Sequence, residues 1–158
     1  MNSEEAPTIP VVLFIDNDDN FLHLNEEHWK ENHRNKSLLI TLNPEKDDPV
    51  IWVHNYLVLG NRLDAIFIDQ HMQGRNGLDI LTDLRNIGEA RYLPMIMMTA
   101  YPDDANDTEA LEKGAVRYIY KSRGSGSRTS FLDEALFSLN QLRDQIEDTM
   151  WIDLLSIR

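Results

Sequence analysis

Not one of the 158 residues is cysteine. That absence excludes disulfides and zinc–thiolate centres, and it suits a reducing compartment, so a cytoplasmic location is the expectation. Long apolar runs are missing too; none approaches the ~20 residues needed to cross a bilayer. The opening MNSEEAPTIP has neither the basic start nor the apolar centre of a secretion signal. It reads as a disordered lead over residues 1–9. Basic charge is scarce: 15 Lys and Arg stand against 27 Asp and Glu, for a net charge of −12, and no dense cationic cluster offsets the balance. Such a surface repels phosphate backbones, which argues against direct binding of nucleic acid.

What remains is an ordinary globular composition, 42% apolar and 27% charged, at a length that suits one domain with a sizeable core. Short apolar runs alternate with amphipathic stretches. VVLFI (Val11 to Ile15), SLLITL (Ser37 to Leu42), AIFI running into Asp69, PMIMMT ending at Thr99 and VRYIY reaching Lys121 read as strands. Between them FLHLNEEHWKENHR, the stretch after Asp48 and Pro49, GLDILTDLRNIG and DTEALEKG read as helices. Asp48 is placed to cap and Pro49 to open the second helix, with Val50, Val53 and Leu57 on one face and Gly60 at its end. Gly88 and Gly114 read as the stops of the third and fourth. A fifth helix starts at Ser130, where the spacing to Asp133 matches a capping box, and carries Leu132, Leu136, Leu139, Ile146 and Met150 as a stripe.

Strands and helices in strict alternation predict an α/β fold, a doubly wound, five-stranded parallel sheet with helices on both faces. In a sheet of order 2-1-3-4-5 the ligand crevice lies beyond the carboxyl ends of the first and third strands. Those strands end in Asp16 and Asp69, the fourth in Thr99 and the fifth in Lys121. Two facing carboxylates repel unless a hard cation sits between them, and Mg²⁺ suits oxygen ligands of this kind.

On these motifs the chain resembles the receiver domains of bacterial two-component response regulators, over roughly Pro10 to Leu142. VLFIDND is similar to the segment bearing the acidic pair, with Asp16 first. DAIFIDQHMQGRNGLDIL resembles the segment around the phosphorylated aspartate, PMIMMTA the strand with the conserved hydroxyl, and GAVRYIYKS the strand ending in the conserved lysine. The resemblance implies a flavodoxin-like fold and a phosphoprotein switch rather than an enzyme in the usual sense. Asp69 would be the phosphoacceptor, with Thr99 and Lys121 on the phosphoryl oxygens. Asp16, Asn17, Asp69 and the backbone carbonyl of His71 would hold Mg²⁺, and Tyr118 would turn with Thr99 as the switch aromatic. A sensor histidine kinase or phosphotransfer protein would donate the phosphoryl group. A partner or output domain would read the α4–β5–α5 surface. The domain division that follows is 1–9 lead, 10–145 receiver and 146–158 an extension of the last helix.

The pattern has departures. Asn17 stands where the second acid is usual, which predicts weaker Mg²⁺ affinity, with Asp18 either a substitute ligand or a surface acid in a turn. Gln73 and Ser122 replace two usual prolines. The 53 positions from Asp16 to Asp69 are somewhat long, a surplus expected in the second helix or the loop before it. The side chain of His71 flanks the acceptor, while His23, His28 and His33 recur every five residues and so share no helical face. FIDNDDN also fits the D-x-D opening of haloacid-dehalogenase-like phosphatases, with Asp16 as nucleophile; a non-phosphorylated pseudo-receiver scaffold is the third reading. Apolar residues in MWIDLLSIR call for cover, and the stripe through Leu132, Leu139 and Ile146 permits a homodimer seam that Arg143 interrupts.

Overall fold

The computed structural model describes residues 9–101, 107–121 and 131–156, with side chains to residue 145. The first compact unit, residues 1–121, carries the sheet; the second, residues 122–158, carries the last helix. Five parallel strands, β1 (Val11–Ile15), β2 (Leu38–Leu42), β3 (Ala65–Asp69), β4 (Met95–Thr99) and β5 (Arg117–Tyr120), lie in the order β2-β1-β3-β4-β5. The connecting helices are α1 (Asp19–Asn32), α2 (Pro49–Val58), α3 (Gly77–Arg85) and α4 (Asp107–Glu112), and α5 (Phe131–Ser156) follows β5. The predicted sheet order is therefore the observed one. Among the described residues no helix is long and apolar enough to cross a membrane.

Strand side chains alternate in direction, so a strand buried on both faces must be apolar at every position. Val12 to Ile15, Ile66 to Ile68 and Met95 to Met98 satisfy that rule, each fully buried. Leu13, Ile15, Ile66, Ile68, Met95 and Met97 face one core with Val53 of α2, Ile80, Leu81 and Leu84 of α3 and Ala110 of α4. Phe14 points the other way, stacking on Phe21 of α1 and tilting against Phe67. Helices thus cover both faces of the sheet.

Local chemistry sets the helix starts. Asp48 accepts from the backbone N–H groups of Val50 and Ile51, and Pro49 occupies the first turn, as the sequence predicts. Gly60, at φ +87°, follows the end of α2. This helix is ten residues long, so the rest of the long 43–64 stretch lies in the connections on either side. α3 stops at Arg85, earlier than its sequence predicts, because Asn86 N–H turns back onto Asp83 and Leu84. Gly88 instead opens a 3-10 turn, Gly88–Ala90. Arg85 donates to the carbonyls of Arg91, Leu93 and Gly114 at 3.0, 2.6 and 2.5 Å. One guanidinium so anchors the segments that deliver β4 and β5.

In the second unit Phe131, Leu132, Ala135 and Leu139 are buried, while Phe137 is exposed. Ser130 with its capping box, Ser122 and the side chains of Ile146 and Met150 lie outside the described residues.

Candidate functional site

β1 and β3 are neighbours, and their register places Ile15 beside Ile68. One residue further on, Asp16 and Asp69 both sit at the carboxyl edge of the sheet, the first fully buried and the second 4% exposed. The backbone N–H of Asp16 still pairs with Leu42 O at 3.1 Å, and that of Gln70 with Met98 O at 2.9 Å. The sheet ladder therefore clamps both carboxylates from behind.

β5 ends one strand away from β3, yet Lys121 reaches both acids. Its Nζ lies 2.6 Å from Asp16 Oδ2 and 3.1 Å from Asp69 Oδ1, with the side chain 14% exposed. The Lys121 N–H donates to Thr99 O at 2.8 Å, which carries the β5 strand-end register into the site. Below the ammonium lies the Phe21 ring, 4.3 Å to its centroid, a cation–π contact. Sequence reasoning missed Phe21; as the first apolar residue of α1 it carries no signal that pairs it with a lysine a hundred residues away.

Asp16 Oδ1 accepts from Asp18 N–H at 2.9 Å. Asp16 Oδ2 is buried, and its close contact among the described residues is the Lys121 ammonium.

Burial pushes the Asp69 carboxyl up to about 6, the charge of Asp16 adds to that rise, and Lys121 opposes it. Asp16 is raised as well, chiefly by burial, again against Lys121. For Lys121 burial alone would lower the pKa; the two carboxylates outweigh it and hold the ammonium above its ordinary value. The cluster carries two acids and one cation in a space that tolerates one extra negative charge poorly.

Thr99 is fully buried, and its Oγ1 accepts from Tyr101 N–H at 3.1 Å and donates to Tyr101 O at 3.3 Å. Its hydroxyl is therefore committed to its own loop and not to Asp69. Tyr118 is half-buried on β5, and its hydroxyl donates to Gln70 Oε1 at 3.0 Å. Gln70 was no candidate in the sequence, since a polar residue after an acid in a loop is unremarked there.

Asp18 is an exposed acid in the turn after β1, as one of its two sequence readings has it, and its Oδ1 accepts from Asn20 and Phe21 N–H to cap α1. His33 lies past the end of α1, so the shared-face argument does not govern it, and its ring comes 5.4 Å from that of His28. His23 stays apart, lining a 300 Å³ open cleft with Asp19, Asn43 and Lys46. Asn17 is half-buried next to Asp16, with its carbonyl 3.4 Å from Asn43 Nδ2. His71 is exposed in the loop after Asp69, its ring edge-on to Tyr101.

The loop glycines have distinct reasons. Gly74 adopts φ +78°, which other residues rarely do. Gly77 has no such angle; a Cβ there would stand 2.0 Å from the carbonyl oxygen of Asp69. The start of α3 is pressed against the Asp69 backbone, and only a residue without a side chain fits.

Residues 55–127 match the family model for the response regulator receiver domain. A glycerol metabolism activator of Pseudomonas putida is 35% identical over 74 residues, 47% of this chain and 33% of that protein. Chemotaxis protein CheY-3 of Vibrio cholerae is 31% identical over 71 residues, 45% of this chain and 55% of that protein. The match thus spans from a third to about half the length of these curated relatives. A CheY-like response regulator receiver domain protein from Methanospirillum hungatei superimposes with a TM-score of 0.64 at 15% identity, over 87% of this chain and 99% of that one. That similarity concerns the fold. The family match runs from within α2 through Asp69 and Thr99 to beyond Lys121, so the segment at residues 55–127 matches a response regulator receiver domain, and the fold of the chain is that of its receiver-domain neighbour.

Proposed function

We propose that Asp69 accepts a phosphoryl group from the phosphohistidine of a sensor kinase or phosphotransfer protein. The carrying observation is Lys121 Nζ, within 3.1 Å of two buried carboxylates whose burial would otherwise oppose their charge. An Asp69 oxygen attacks phosphorus, the new O–P bond forms as the N–P bond breaks, and the departing imidazole takes up a proton. Asp69 must be ionised to attack, and a value raised to about 6 leaves it so at neutral pH while making it a better nucleophile than an exposed acid.

The two buried carboxylates fit a hard divalent cation, which Asp16 and Asp69 would hold together with the Asn17 amide and the His71 carbonyl. Mg²⁺ would supply neutralising charge there for the transferring phosphoryl oxygens. Lys121 then leaves Asp16 for the phosphoryl group, and Thr99 gives up its Tyr101 partners to donate to it. Movement of Thr99 vacates space beside β4, into which Tyr118 turns, so that α4 and β5 present a changed surface to a downstream protein or output domain. The protein works in the cytoplasm in this reading.

Acetyl phosphate with Mg²⁺, followed by intact-mass and peptide analysis, tests the proposal. One phosphoryl group on Asp69, absent in Asp69→Asn, is the expected result. Modification of Asp16 would instead favour the phosphatase reading, and no modification the unphosphorylated scaffold.

A further inference from the structure

We propose that Gln70 is a positioning residue for the switch: its amide, next in sequence to Asp69, holds the Tyr118 hydroxyl and links the acceptor to β5 without passing through Thr99. The inference rests on Asp69 being the phosphoacceptor and adds a second route of coupling to it.

Three observations carry it. Tyr118 Oη and Gln70 Oε1 are 3.0 Å apart although 48 residues separate them in sequence. Gln70 is on the β3 side and Tyr118 on β5, with β4 between: Asp69 pairs with Met98, and Met97 with Tyr118. Only two long side chains bridge that gap, so the contact depends on both residue types. The backbone of Gln70 is also fixed on both sides, its N–H on Met98 O at 2.9 Å and its carbonyl on Gly77 N–H at 3.1 Å. A peptide held that firmly transmits a displacement of Asp69 rather than absorbing it.

The direction follows from Thr99. Its hydroxyl is on the Tyr101 backbone, so the arrangement is the resting one, and the Gln70 bond stabilises Tyr118 in it. A part-buried hydrogen bond of this kind biases such an equilibrium by roughly three- to tenfold. By linkage, whatever stabilises the resting arrangement weakens phosphoryl binding by the same factor. The ring remains packed against the core when the bond is lost, since Tyr118 touches that core directly.

Beryllofluoride, a phosphoryl mimic, titrated with Mg²⁺ present and followed by fluorine NMR, reads the effect. Gln70→Met and Tyr118→Phe are each expected to bind it roughly three- to tenfold more tightly than the parent, and the double variant no more tightly than either single one. A purely structural role would lower the melting temperature and leave the affinity unchanged, which overturns the proposal, as would additive effects in the double variant. Tyr118→Phe removes one oxygen and keeps the test alive should Gln70→Met fail to fold. No binding by the parent protein overturns the phosphoacceptor reading and the latch together; equal binding by all four proteins overturns the latch alone.

Discussion

Gly77→Ala isolates how tightly the acceptor loop is built. The added Cβ would meet Asp69 O at 2.0 Å, Asp69 C at 2.8 Å and Gln70 Cα at 3.0 Å, all backbone atoms. Real Cβ contacts essentially never fall below 3.0 Å, so about 1 Å of separation must open between α3 and β3. Neither side yields easily. β3 is a central strand with every residue buried, and the Gly77 N–H bond to Gln70 O would break as α3 backs away. Overpacking in ordinary cores costs about 1–3 kcal/mol, and backbone meeting backbone belongs at or above the upper end. With a urea slope of about 2 kcal/mol/M, a loss of ~3 kcal/mol lowers the midpoint by roughly 1.5 M. Gly88→Ala is the control: nothing lies within 4 Å of its Cβ and its φ is not positive, so a change within about ±0.5 kcal/mol is expected. Urea unfolding of both variants against the parent reads the contrast. Equal midpoints for the two variants would refute the close-approach argument. Phosphorylation of whatever Gly77→Ala remains folded should also fall, because the carbonyl that is pushed belongs to Asp69, the proposed acceptor.

Three further expectations concern the charge cluster. Asp69 has its folded pKa raised to about 6 from 3.8, so its ionisation opposes folding: the stability it allows is full below pH 4 and lost as pH rises through about 6. Asp69→Asn should therefore gain about 1–3 kcal/mol over the parent at pH 8 and show no gain near pH 4, by urea unfolding at each pH. A gain independent of pH would contradict the assignment. Lys121→Met leaves two buried carboxylates facing one another, and a loss of about 3 kcal/mol is expected at pH 8, becoming smaller near pH 4 as the carboxyls take up protons. Unfolding curves that show the same deficit at both pH values would count against the bridge. Asn17→Asp adds one charge to the proposed metal ligands, and isothermal titration should show Mg²⁺ bound roughly 5- to 30-fold more tightly, about 1–2 kcal/mol. Unchanged affinity would remove Asn17 from the site.

Reading the chain by itself determined a good deal, because much of the fold is written in local pattern. Strand and helix periods differ, so VVLFI, AIFI and PMIMMT announce buried strands, and the capping of α2 by Asp48 needs only its next three residues. Strict alternation then leaves few topologies, and the ends of those strands bring Asp16, Asp69, Thr99 and Lys121 to one rim. What the tertiary structure alone decided is how those groups meet. Lys121 bridging two acids, Phe21 beneath it, Gln70 holding Tyr118, and Gly77 pressed on the acceptor carbonyl are all contacts between residues distant in sequence or on different elements. The cap that Asp18 supplies to α1 also needed the structure, since it depends on the direction in which the chain leaves β1. Residue identity names the groups a chain can bring to a site; their distances, and so their charge states, exist only once the strands have paired.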